Sequence, residues 1–344
     1  MNLGDALPER FDDVEALEEF MSRPGPDLAA DLAAAEGDIM ILGVGGKMGP
    51  TLARLARRAA PERRVVGVAR FSEPGLEEKL QGWGVETIKC DLLERDSVAA
   101  LPKLPNVIFM AGRKFGTSGN LELTWAMNAL VPAIVADIFR ESRIVALSTG
   151  NVYPFADVAG GGAGEAAPPD PMGEYAQSCL GRERMFEYFS MLHGTKGRII
   201  RLNYAIDTRY GVLWDVAVKV LAGVPIDVTT GHANVIWQGD ANSHILRSLR
   251  HCTAPTSPLN VSGLGAVAIR ELARAFGERL NRKVEIAGTE SEACWLVNTE
   301  QCAQLLGPPA IPLEAMIDWV ADWVARGLPS LDKPTAYDSR DGSF

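Results

Sequence analysis

The stretch DIMILGVGGKMG, residues 38–49, is a short apolar segment that runs directly into a glycine-rich turn. Its residues 39–42 are continuously apolar, as expected of a parallel strand that is buried on both faces. The glycines of the turn are spaced three residues apart, at Gly43, Gly46 and Gly49. The first allows a tight turn, the second lets the backbone approach a pyrophosphate, and the third lets the following helix (50–60) pack on the strand. The stretch therefore predicts the phosphate-binding turn of a dinucleotide site, with a helix N-terminus facing the phosphates.

Apolar strand patterns alternate with helical patterns along the chain after this turn. The predicted strands lie at 64–71, 82–92, 106–112, 143–148 and 197–202. Strands that alternate with helices and end in glycine or other small residues are typical of a doubly wound parallel sheet, the Rossmann form of the α/β class. Ligands of such sheets bind outside the carboxyl ends of the strands, so these strand ends are expected to line the cofactor site.

The end of the second predicted strand carries Arg70, where a site specific for NAD would place Asp or Glu against the ribose 2′-hydroxyl. An arginine there can pair with a 2′-phosphate, so the sequence favours NADP over NAD. The alternative is that Arg70 is solvated and that Glu73 or the loop contacts the ribose. The residues expected to bind the cofactor are Gly43, Gly46, Lys47, Met48 and Gly49 in the turn, Arg70, Asp91, Leu92, Met110, Ala111 and Gly112 at the strand ends, and Asn128 in a following helix.

The chain divides into four predicted regions. Residues 1–36 carry two helical patterns split by a Pro-Gly-Pro sequence and form an extension outside the dinucleotide unit. Residues 37–203 form the NAD(P)-binding Rossmann domain. Residues 204–333 form a smaller C-terminal α/β lobe for the substrate, with 234–263 returning to the Rossmann domain. The polar residues 334–344 are expected to be a loose tail.

Composition and charge restrict the partners of the protein. The 344 residues are 47% hydrophobic and 23% charged, which is ordinary for a globular protein. A net charge of −10 argues against nucleic acid or an anionic membrane as a partner. No apolar run approaches the ~20 residues that span a bilayer, and the acidic N-terminus lacks the order of a signal peptide. Five cysteines without a CxxC pair suit a reducing cytoplasm, and no histidine spacing indicates a metal site.

Further motifs follow the glycine turn in a fixed order. They are VIFMAG (107–112), STGNVY (148–153), RLN (201–203) and NVSG (260–263), with Tyr175 opening a helical segment between the second and the third. Over residues 38–327 this set resembles the extended short-chain dehydrogenases/reductases, the NAD-dependent epimerase/dehydratase family. The resemblance implies hydride transfer between a sugar hydroxyl and C4 of a nicotinamide. It also implies a homodimer that pairs through the helix bearing the tyrosine.

The resemblance also assigns the catalytic groups. Tyr175 is the expected acid and base for the substrate hydroxyl. Ser148 or Thr149 is the expected donor to the oxygen on which charge develops. Because these residue types occur together at the places where the family has them, an oxidoreductase site is expected rather than ordinary strand-end and helix residues.

One position departs from the family in a way that affects the chemistry. The family's tyrosine lies in a YxxxK motif, but the run here is Tyr175-Ala-Gln-Ser-Cys179, so Cys179 occupies the cofactor-binding position of the lysine. That lysine holds the nicotinamide ribose and lowers the tyrosine pKa from ~10, and a cysteine can do neither well. Lys114, after the fourth strand, is the expected catalytic substitute, with Arg113 and Arg182 as the other candidates.

A second departure discriminates among reactions. Family members that eliminate water read STDEVY, whereas this chain has Gly150 and Asn151 at the acid and base positions, which disfavours dehydration. The sequence thus predicts an NAD(P)-dependent oxidoreductase or epimerase acting on a hydroxyl or ketone of a sugar, sugar acid or nucleotide sugar. The residues expected to border this small-molecule substrate are Arg113, Asn203, Tyr204, Arg209 and Trp237. The alternative is a catalytically impaired dinucleotide-binding sensor or scaffold protein, although a pure binder does not need the serine–tyrosine pair.

Overall fold

Helices and strands alternate along the chain in the computed structural model, which describes residues 7–114, 119–333 and 335–342. The helices are α1 (Val14–Met21), α2 (Pro26–Ala34), α3 (Gly49–Ala59), α4 (Leu76–Gly82), α5 (Arg95–Ala100), α6 (Leu121–Trp125), α7 (Val131–Ile138), α8 (Gly173–His193), α9 (Val212–Leu221), α10 (Gln238–Arg247), α11 (Ile269–Leu280), α12 (Glu300–Leu306) and α13 (Leu313–Ala325). The strands are β1 (Ile39–Leu42), β2 (Val65–Ala69), β3 (Glu86–Lys89), β4 (Asn106–Phe109), β5 (Arg143–Thr149), β6 (Ala156–Asp157), β7 (Gly197–Leu202), β8 (Ala205–Ile206), β9 (Ile226–Asp227), β10 (His232–Ala233), β11 (Ile236–Trp237), β12 (Ser257–Val261), β13 (Val267–Ala268), β14 (Ile286–Ala287) and β15 (Ala293–Cys294).

Seven parallel strands form the central sheet, in the spatial order β3-β2-β1-β4-β5-β7-β12. β1 lies in the middle, with Ile39 beside Val65 of β2 and Asn106 of β4. All four residues of β1 are buried, because helices cover both faces of the sheet. The strand order reverses at β1, so the carboxyl ends of β1 and β4 open a crevice there. The doubly wound Rossmann sheet predicted from the sequence is confirmed.

The helices on the two faces pack around separate apolar clusters. One cluster joins β1 to α3 and α10 through residues such as Leu52 and Ile245. The other joins β1 to α7 and α8 on the opposite face. The side-chain amides of Gln238 and Asn242 in α10 donate to the Thr51 hydroxyl of α3, at 3.2 and 3.1 Å. Together with β12, α10 therefore lies with the sheet although it comes late in the chain.

The C-terminal lobe is built on α9, α11 and α13, which share a third apolar cluster. The N-terminal extension joins this lobe through an aromatic group in which Phe11 and Phe20 contact Trp237 and Trp319, with ring centroids 5.1 to 6.3 Å apart. Asp31 of α2 pairs at 2.6 Å with Arg247 of α10, on the Rossmann side. The extension therefore ties the lobe to the Rossmann domain.

The segment 335–342 is packed against the lobe, so the expectation of a loose tail is corrected. Tyr337 is 1% exposed and belongs to the apolar cluster of the lobe. The ammonium group of Lys219 in α9 pairs with Asp338 at 2.9 Å. The polar composition of the tail was misleading because one buried ring and one ion pair are enough to anchor a short segment.

One helical stretch qualifies the expectation that no segment is long enough to span a membrane. The 18 residues Leu121–Ile138, which run through α6, a π-helical turn (Ala126–Leu130) and α7, are long and apolar enough by length and composition to cross a bilayer. Core helices of soluble proteins can have the same length and composition; 39% of this stretch is buried inside the protein, against α8 and the sheet.

Candidate active site

The three glycines of the turn have different surroundings. At Gly43, φ is +86°, and a Cβ atom would lie 2.6 Å from the backbone nitrogen of Ala111. At Gly49, a Cβ atom would lie 2.1 Å from the carbonyl oxygen of Val44. At Gly46, the nearest atom to a Cβ would be 3.6 Å away, which is ordinary contact. Gly43 and Gly49 are therefore required by the turn itself, whereas the backbone at Gly46 stays open to a ligand.

The turn leads into α3, whose N-terminus has no side-chain cap. The Gly49 N–H donates to the Gly46 carbonyl at 3.1 Å and Pro50 has no N–H, so it is the positive end of the helix dipole that favours negative charge there. Two cavities adjoin at this point, and both are lined by the turn and by the residues after β4. The residues that the two cavities share are Gly43, Gly46, Met110 and Gly112. One extended ligand can therefore cross from one cavity to the other over the turn.

The first cavity, here the Arg70 cavity, has a volume of about 260 Å³. It lies at the carboxyl ends of β2 and β3. The predicted cofactor residues that line it, besides the four shared ones, are Arg70, Asp91, Leu92 and Ala111. The guanidinium of Arg70 lies 4.0 Å from the Asp91 carboxylate, and Glu73 also lines the cavity. A cation and two carboxylates thus face the position where a ribose is expected.

The second cavity, here the Tyr175 cavity, has a volume of about 390 Å³. It lies between the sheet and the C-terminal lobe. Besides the shared residues, it brings together the predicted residues Lys47, Met48, Gly49, Lys114, Ser148, Thr149, Tyr175, Asn203 and Tyr204. Tyr204 adopts a left-handed backbone conformation, with φ of +41°, which is uncommon for a non-glycine residue. The cavity therefore joins the glycine turn, the strand-end hydroxyls and the tyrosine in one space.

The two hydroxyls at the end of β5 differ in their partners. The Ser148 hydroxyl donates to the buried carboxylate of Glu183 at 2.5 Å, and Glu183 also pairs with Arg201 at 2.7 Å. Thr149 hydrogen-bonds Tyr175, and its hydroxyl donates to the Asn151 side chain at 2.8 Å. Ser148 is thus engaged in a buried ionic network, whereas Thr149 is the hydroxyl in contact with the tyrosine.

Tyr175 lies in the first turn of α8, where its phenol faces the cavity. Burial raises the pKa of Tyr175 well above 10, and the neighbouring Cys179 raises it further. The charge of Arg182 and the hydrogen bond with Thr149 act in the opposite direction and lower this pKa. The phenol is therefore held in its protonated form at neutral pH.

Cys179 lies one helical turn after Tyr175 and is fully buried. Burial raises the pKa of the Cys179 thiol, while Arg182, a hydrogen bond with Tyr175 and Lys114 each lower it. Lys114 interacts with Cys179 in turn, and burial lowers the pKa of Lys114 to about 8. Two cations, from the loop after β4 and from α8 itself, thus act on the position where the family has its lysine.

Arg182 and Asn128 form a buried clamp beneath the cavity. The Arg182 guanidinium donates to the Leu147 carbonyl and to Asn128 Oδ1, both at 2.7 Å. The Asn128 amide donates to Ser178 Oγ at 2.9 Å, and its Oδ1 accepts from the Arg113 backbone N–H at 2.8 Å. Asn128 was expected to bind the cofactor. It is fully buried and lines neither cavity, because it joins α8 to the loop after β4.

Arg209 was expected to border the substrate, and that expectation is wrong. Its guanidinium is 7% exposed and pairs with Asp207 at 2.9 Å and with Glu18 of α1 at 3.0 Å. The N-terminal extension supplies Glu18, so the arginine is neutralised by a contact between distant parts of the chain. Arg113 was also expected at the substrate, and its side chain lines neither cavity among the described lining residues.

Trp237 was expected to border the substrate and lies elsewhere. It is 1% exposed and packs between Phe11, Phe20 and Trp319 in the aromatic group described above. The family pattern placed its segment near the substrate, but the extension before residue 37 covers this tryptophan. Cys179, expected at the cofactor, likewise lies behind Tyr175 and lines neither cavity.

Two residues of the Tyr175 cavity were not predicted from the sequence. Tyr210 follows Arg209 in a tight turn, and its ring lies under the Lys47 ammonium group at 3.9 Å. Lys333 belongs to the segment that leads into the tail. No local pattern marks either residue, since each reaches the cavity through the packing of the C-terminal lobe.

Comparison with known proteins gives one family and a set of fold neighbours. Residues 39–206 match the model of the NAD dependent epimerase/dehydratase family, which confirms the resemblance seen in the motifs. No curated protein gives a significant match.

Three solved structures illustrate the fold. The UDP-glucose 4-epimerase of Thermus thermophilus, in complex with NAD, is 18% identical with a TM-score of 0.69, covering 84% of this chain and 99% of that chain. The UDP-glucuronic acid 4-epimerase of Bacillus cereus, in complex with UDP-glucuronic acid and NAD, is 16% identical with a TM-score of 0.70 and the same coverage, 84% and 99%. Pal from Bacillus thuringiensis is 16% identical with a TM-score of 0.70, again covering 84% and 99%. At these identities the likeness shows the fold alone.

Proposed function

Because residues 39–206 match the model of the NAD dependent epimerase/dehydratase family, we propose that this protein is an NAD(P)-dependent oxidoreductase or epimerase. It acts on a hydroxyl or ketone of a sugar or sugar-like molecule. One observation carries the proposal: the open glycine turn, Thr149 and Tyr175 line a single cavity. A proton donor and acceptor thus faces the space that adjoins the dinucleotide turn.

The residues around the turn fit a nicotinamide dinucleotide. The open backbone at Gly46 and the uncapped N-terminus of α3 suit a pyrophosphate, and the Arg70 cavity suits an adenosine ribose. When bound, the cofactor supplies the acceptor and donor of hydride. Arg70 can pair with the 2′-phosphate of NADP, which supports a preference for NADP. Asp91 and Glu73 line the same cavity and would favour NAD, because a carboxylate accepts from the ribose 2′-hydroxyl. We retain NADP because Arg70 directly follows β2.

The side chains of the cavity move and stabilise the proton. In oxidation, the phenolate form of Tyr175 accepts the proton of the substrate hydroxyl, and in reduction the phenol donates a proton to the oxygen of the ketone as hydride arrives. Thr149, which hydrogen-bonds Tyr175, donates to the same substrate oxygen as its charge develops. We assign the oxyanion donor to Thr149 rather than Ser148, because the Ser148 hydroxyl is held by the charged carboxylate of Glu183, whereas the Thr149 hydroxyl is held by the neutral amide oxygen of Asn151 and turns to a substrate oxygen at lower cost.

Lys114 takes the place of the family's lysine in this proposal. It lines the same cavity as Tyr175, and its charge acts on Cys179, which stands at the lysine position. A cation there stabilises the phenolate during oxidation and can donate to the nicotinamide ribose. Arg182 contributes to the same electrostatic effect from beneath the cavity, because its charge lowers the pKa of Tyr175.

The residues at the end of β5 disfavour elimination of water. Gly150 has no side chain to act as an acid, and Asn151 carries an amide that cannot act as a base. The remaining reactions are reversible oxidation of a hydroxyl, and epimerisation by oxidation followed by reduction on the other face. The alternative of an impaired sensor or scaffold is supported only by Cys179 and by the raised pKa of Tyr175.

A homodimer in the cytoplasm completes the proposal. Helices α6 and α8 and the π-helical turn between α6 and α7 expose large apolar side chains. These are Leu121, Trp125, Leu130, Tyr188, Met191 and Leu192, exposed by 38 to 69%. A second copy that covers them would remove this apolar surface from water.

Titration of the purified protein with NAD, NADP and their reduced forms, followed by nicotinamide fluorescence, tests the cofactor site. We expect binding of at least one dinucleotide and, with an accepted substrate, a rate that falls about 10²–10⁴-fold in Tyr175→Phe. Tyr188→Phe, on the same helix but outside both cavities, is the matched control and should keep full activity, because phenylalanine keeps the apolar ring on the surface proposed to meet a second copy. Absence of binding by every dinucleotide would overturn the proposal. Binding with equal rates in the two variants would favour the sensor.

A further inference from the structure

The Tyr175 cavity carries an excess of positive charge. Lys47, Lys114 and Lys333 line it, and none of its described lining residues is Asp or Glu. The chain as a whole is acidic, with 44 Asp and Glu residues against 34 Lys and Arg residues. Like charges gathered in a partly buried space repel one another, so a bound anion there is stabilised by all of them.

Lys47 leaves the glycine turn and reaches toward the C-terminal lobe. Its ammonium group donates to the Ala205 carbonyl at 2.9 Å and lies 3.9 Å from the centre of the Tyr210 ring. Burial lowers the pKa of Lys47 to about 7; Asp207 raises it, and the charges of Lys114, Arg209 and Lys333 lower it further. The ammonium group therefore lies at the lobe side of the cavity, close to other cations.

The N-terminus of α9 faces the same space. Gly211 immediately precedes this ten-residue helix, lines the cavity, and leaves the helix without a side-chain cap. The backbone N–H groups of the first turn and the positive end of the helix dipole favour an anion. Three sources of positive potential thus converge on the lobe side: Lys47, Lys333 and this helix end.

On the basis of the proposed function, we propose that the substrate is a small anion, a hydroxy or keto compound carrying a carboxylate or phosphate. Lys47, Lys333 and the N-terminus of α9 bind its anionic group, while Tyr175 and Thr149 contact the reacting oxygen. The substrate is not a nucleotide sugar.

The size and charge of the site support the exclusion of nucleotide sugars. The cavity of about 390 Å³ has to hold the nicotinamide end of the cofactor as well as the substrate. This volume is near the lower end of the ~300–1,000 Å³ found for sites that hold one drug-sized ligand. Arg209, the arginine that could have met a diphosphate, is paired with Glu18 and Asp207.

Thermal unfolding of the cofactor-saturated protein tests the proposal, with inorganic phosphate, D-gluconate and UDP-glucose as probes. Saturation with cofactor keeps phosphate out of the pyrophosphate position. We expect phosphate, gluconate or both to raise the melting temperature of the wild-type protein more than UDP-glucose does. Gluconate alone would assign a carboxylate substrate, and phosphate alone would assign a phosphorylated one.

Lys47→Met and Lys333→Met should each weaken the anion that binds by about tenfold or more, because a hydrogen bond to a charged group is lost. Lys47→Arg should retain most of the affinity, and Lys283→Met, at an exposed lysine that does not line the cavity, should retain all of it. Cofactor titration of each variant reports whether the turn is intact.

The outcomes separate this proposal from the one it rests on. Stronger binding of UDP-glucose, unchanged anion affinity in both methionine variants, or no response to either anion would overturn the small-anion substrate while cofactor binding still supports the oxidoreductase. Loss of cofactor binding in the wild-type protein would overturn both.

Discussion

The glycine turn and the helix bearing Tyr175 face each other across one cavity, but they are encoded in different ways. Gly43 and Gly49 are fixed by atoms of their own turn and of the next strand end, so their spacing alone reveals the turn. The charge around Tyr175 comes from Lys114 and Arg182, on separate elements, and the motif position itself holds Cys179. A site that depends on local packing keeps its sequence motif. A site that depends on a positive charge can take that charge from a residue elsewhere in the chain, and its motif then changes.

The largest effect is expected at the tyrosine end. If Lys114 supplies the charge that the motif lysine supplies in the family, Lys114→Met should reduce kcat by about 10²–10³-fold, the effect of losing one preorganised donor. The stability of the protein should change little, because the side chain lines a cavity rather than the core. Steady-state kinetics of wild type and variant with an accepted substrate give the ratio.

A second substitution makes that experiment specific. Cys179→Lys restores the YxxxK motif, and in the Lys114→Met background it should recover part of the lost rate. In the wild-type background the same change places a third cation beside Lys114 and Arg182, so activity or stability should fall. Equal activity of Lys114→Met and wild type would show that Arg182 alone supplies the charge.

The next effect is expected at the turn and concerns stability. Gly49→Ala places a methyl group against the Val44 carbonyl and should lower the free energy of unfolding by about 1–3 kcal/mol, as overpacking does. Gly46→Ala has room for the methyl group and should leave the free energy of unfolding within about 0.5 kcal/mol of wild type. Urea denaturation of both variants measures the difference.

In cofactor titration, Gly46→Ala should have a larger effect on dinucleotide affinity than its small effect on stability would suggest. The methyl group of Gly46→Ala occupies the space in which a pyrophosphate approaches the backbone, so it should weaken dinucleotide binding while the protein stays stable. Gly45→Ala, beside it in the turn with its nearest neighbour 3.5 Å away, is the matched control for the stability measurement. Equal stability losses at Gly46 and Gly49 would contradict the division of roles within the turn.

The parts that the sequence predicted are those encoded by adjacent residues. The two helical patterns expected before residue 37 form α1 and α2, and the apolar run 39–42 forms the central strand. The choice between Ser148 and Thr149 could not be made from sequence, since it depends on Glu183, 35 positions away in the chain. Local patterns carry periodicity and turns, but they do not carry the partner of a buried hydroxyl.

The substrate side was predicted least well for the same reason. Arg209 and Trp237 were assigned by position in a family pattern, and both are covered by the N-terminal extension that the family pattern does not include. Lys333 enters the Tyr175 cavity because the tail segment is anchored by Tyr337. The N-terminal extension thus removes the charge of Arg209 from the site, and the C-terminal segment brings the charge of Lys333 into it. Neither change alters a motif.

The two regions should also differ in their response to pH. Oxidation requires Tyr175 to accept a proton, and burial holds its pKa well above 10, so the deprotonated fraction should rise about tenfold per unit from about pH 7. Reduction uses the protonated phenol and should stay nearly constant over the same range. Cofactor affinity should vary less over the same range, because the backbone of the turn does not titrate and only Lys47 and Lys114 lose charge there.

Loss of the Lys114 charge should reduce the slope of the oxidation rate against pH. Its pKa of about 8 means that the charge supporting the phenolate is lost as the pH rises past that value, so oxidation should gain less per unit above pH 8 than below it. In Lys114→Met the bend should disappear and a single slope should remain, since the lysine whose charge is lost is no longer there. The measurement is kcat for oxidation and for reduction at pH 7 to about 9.5 in both proteins. A flat oxidation profile in the wild-type protein would exclude Tyr175 as the base, whatever supplies the charge beside it.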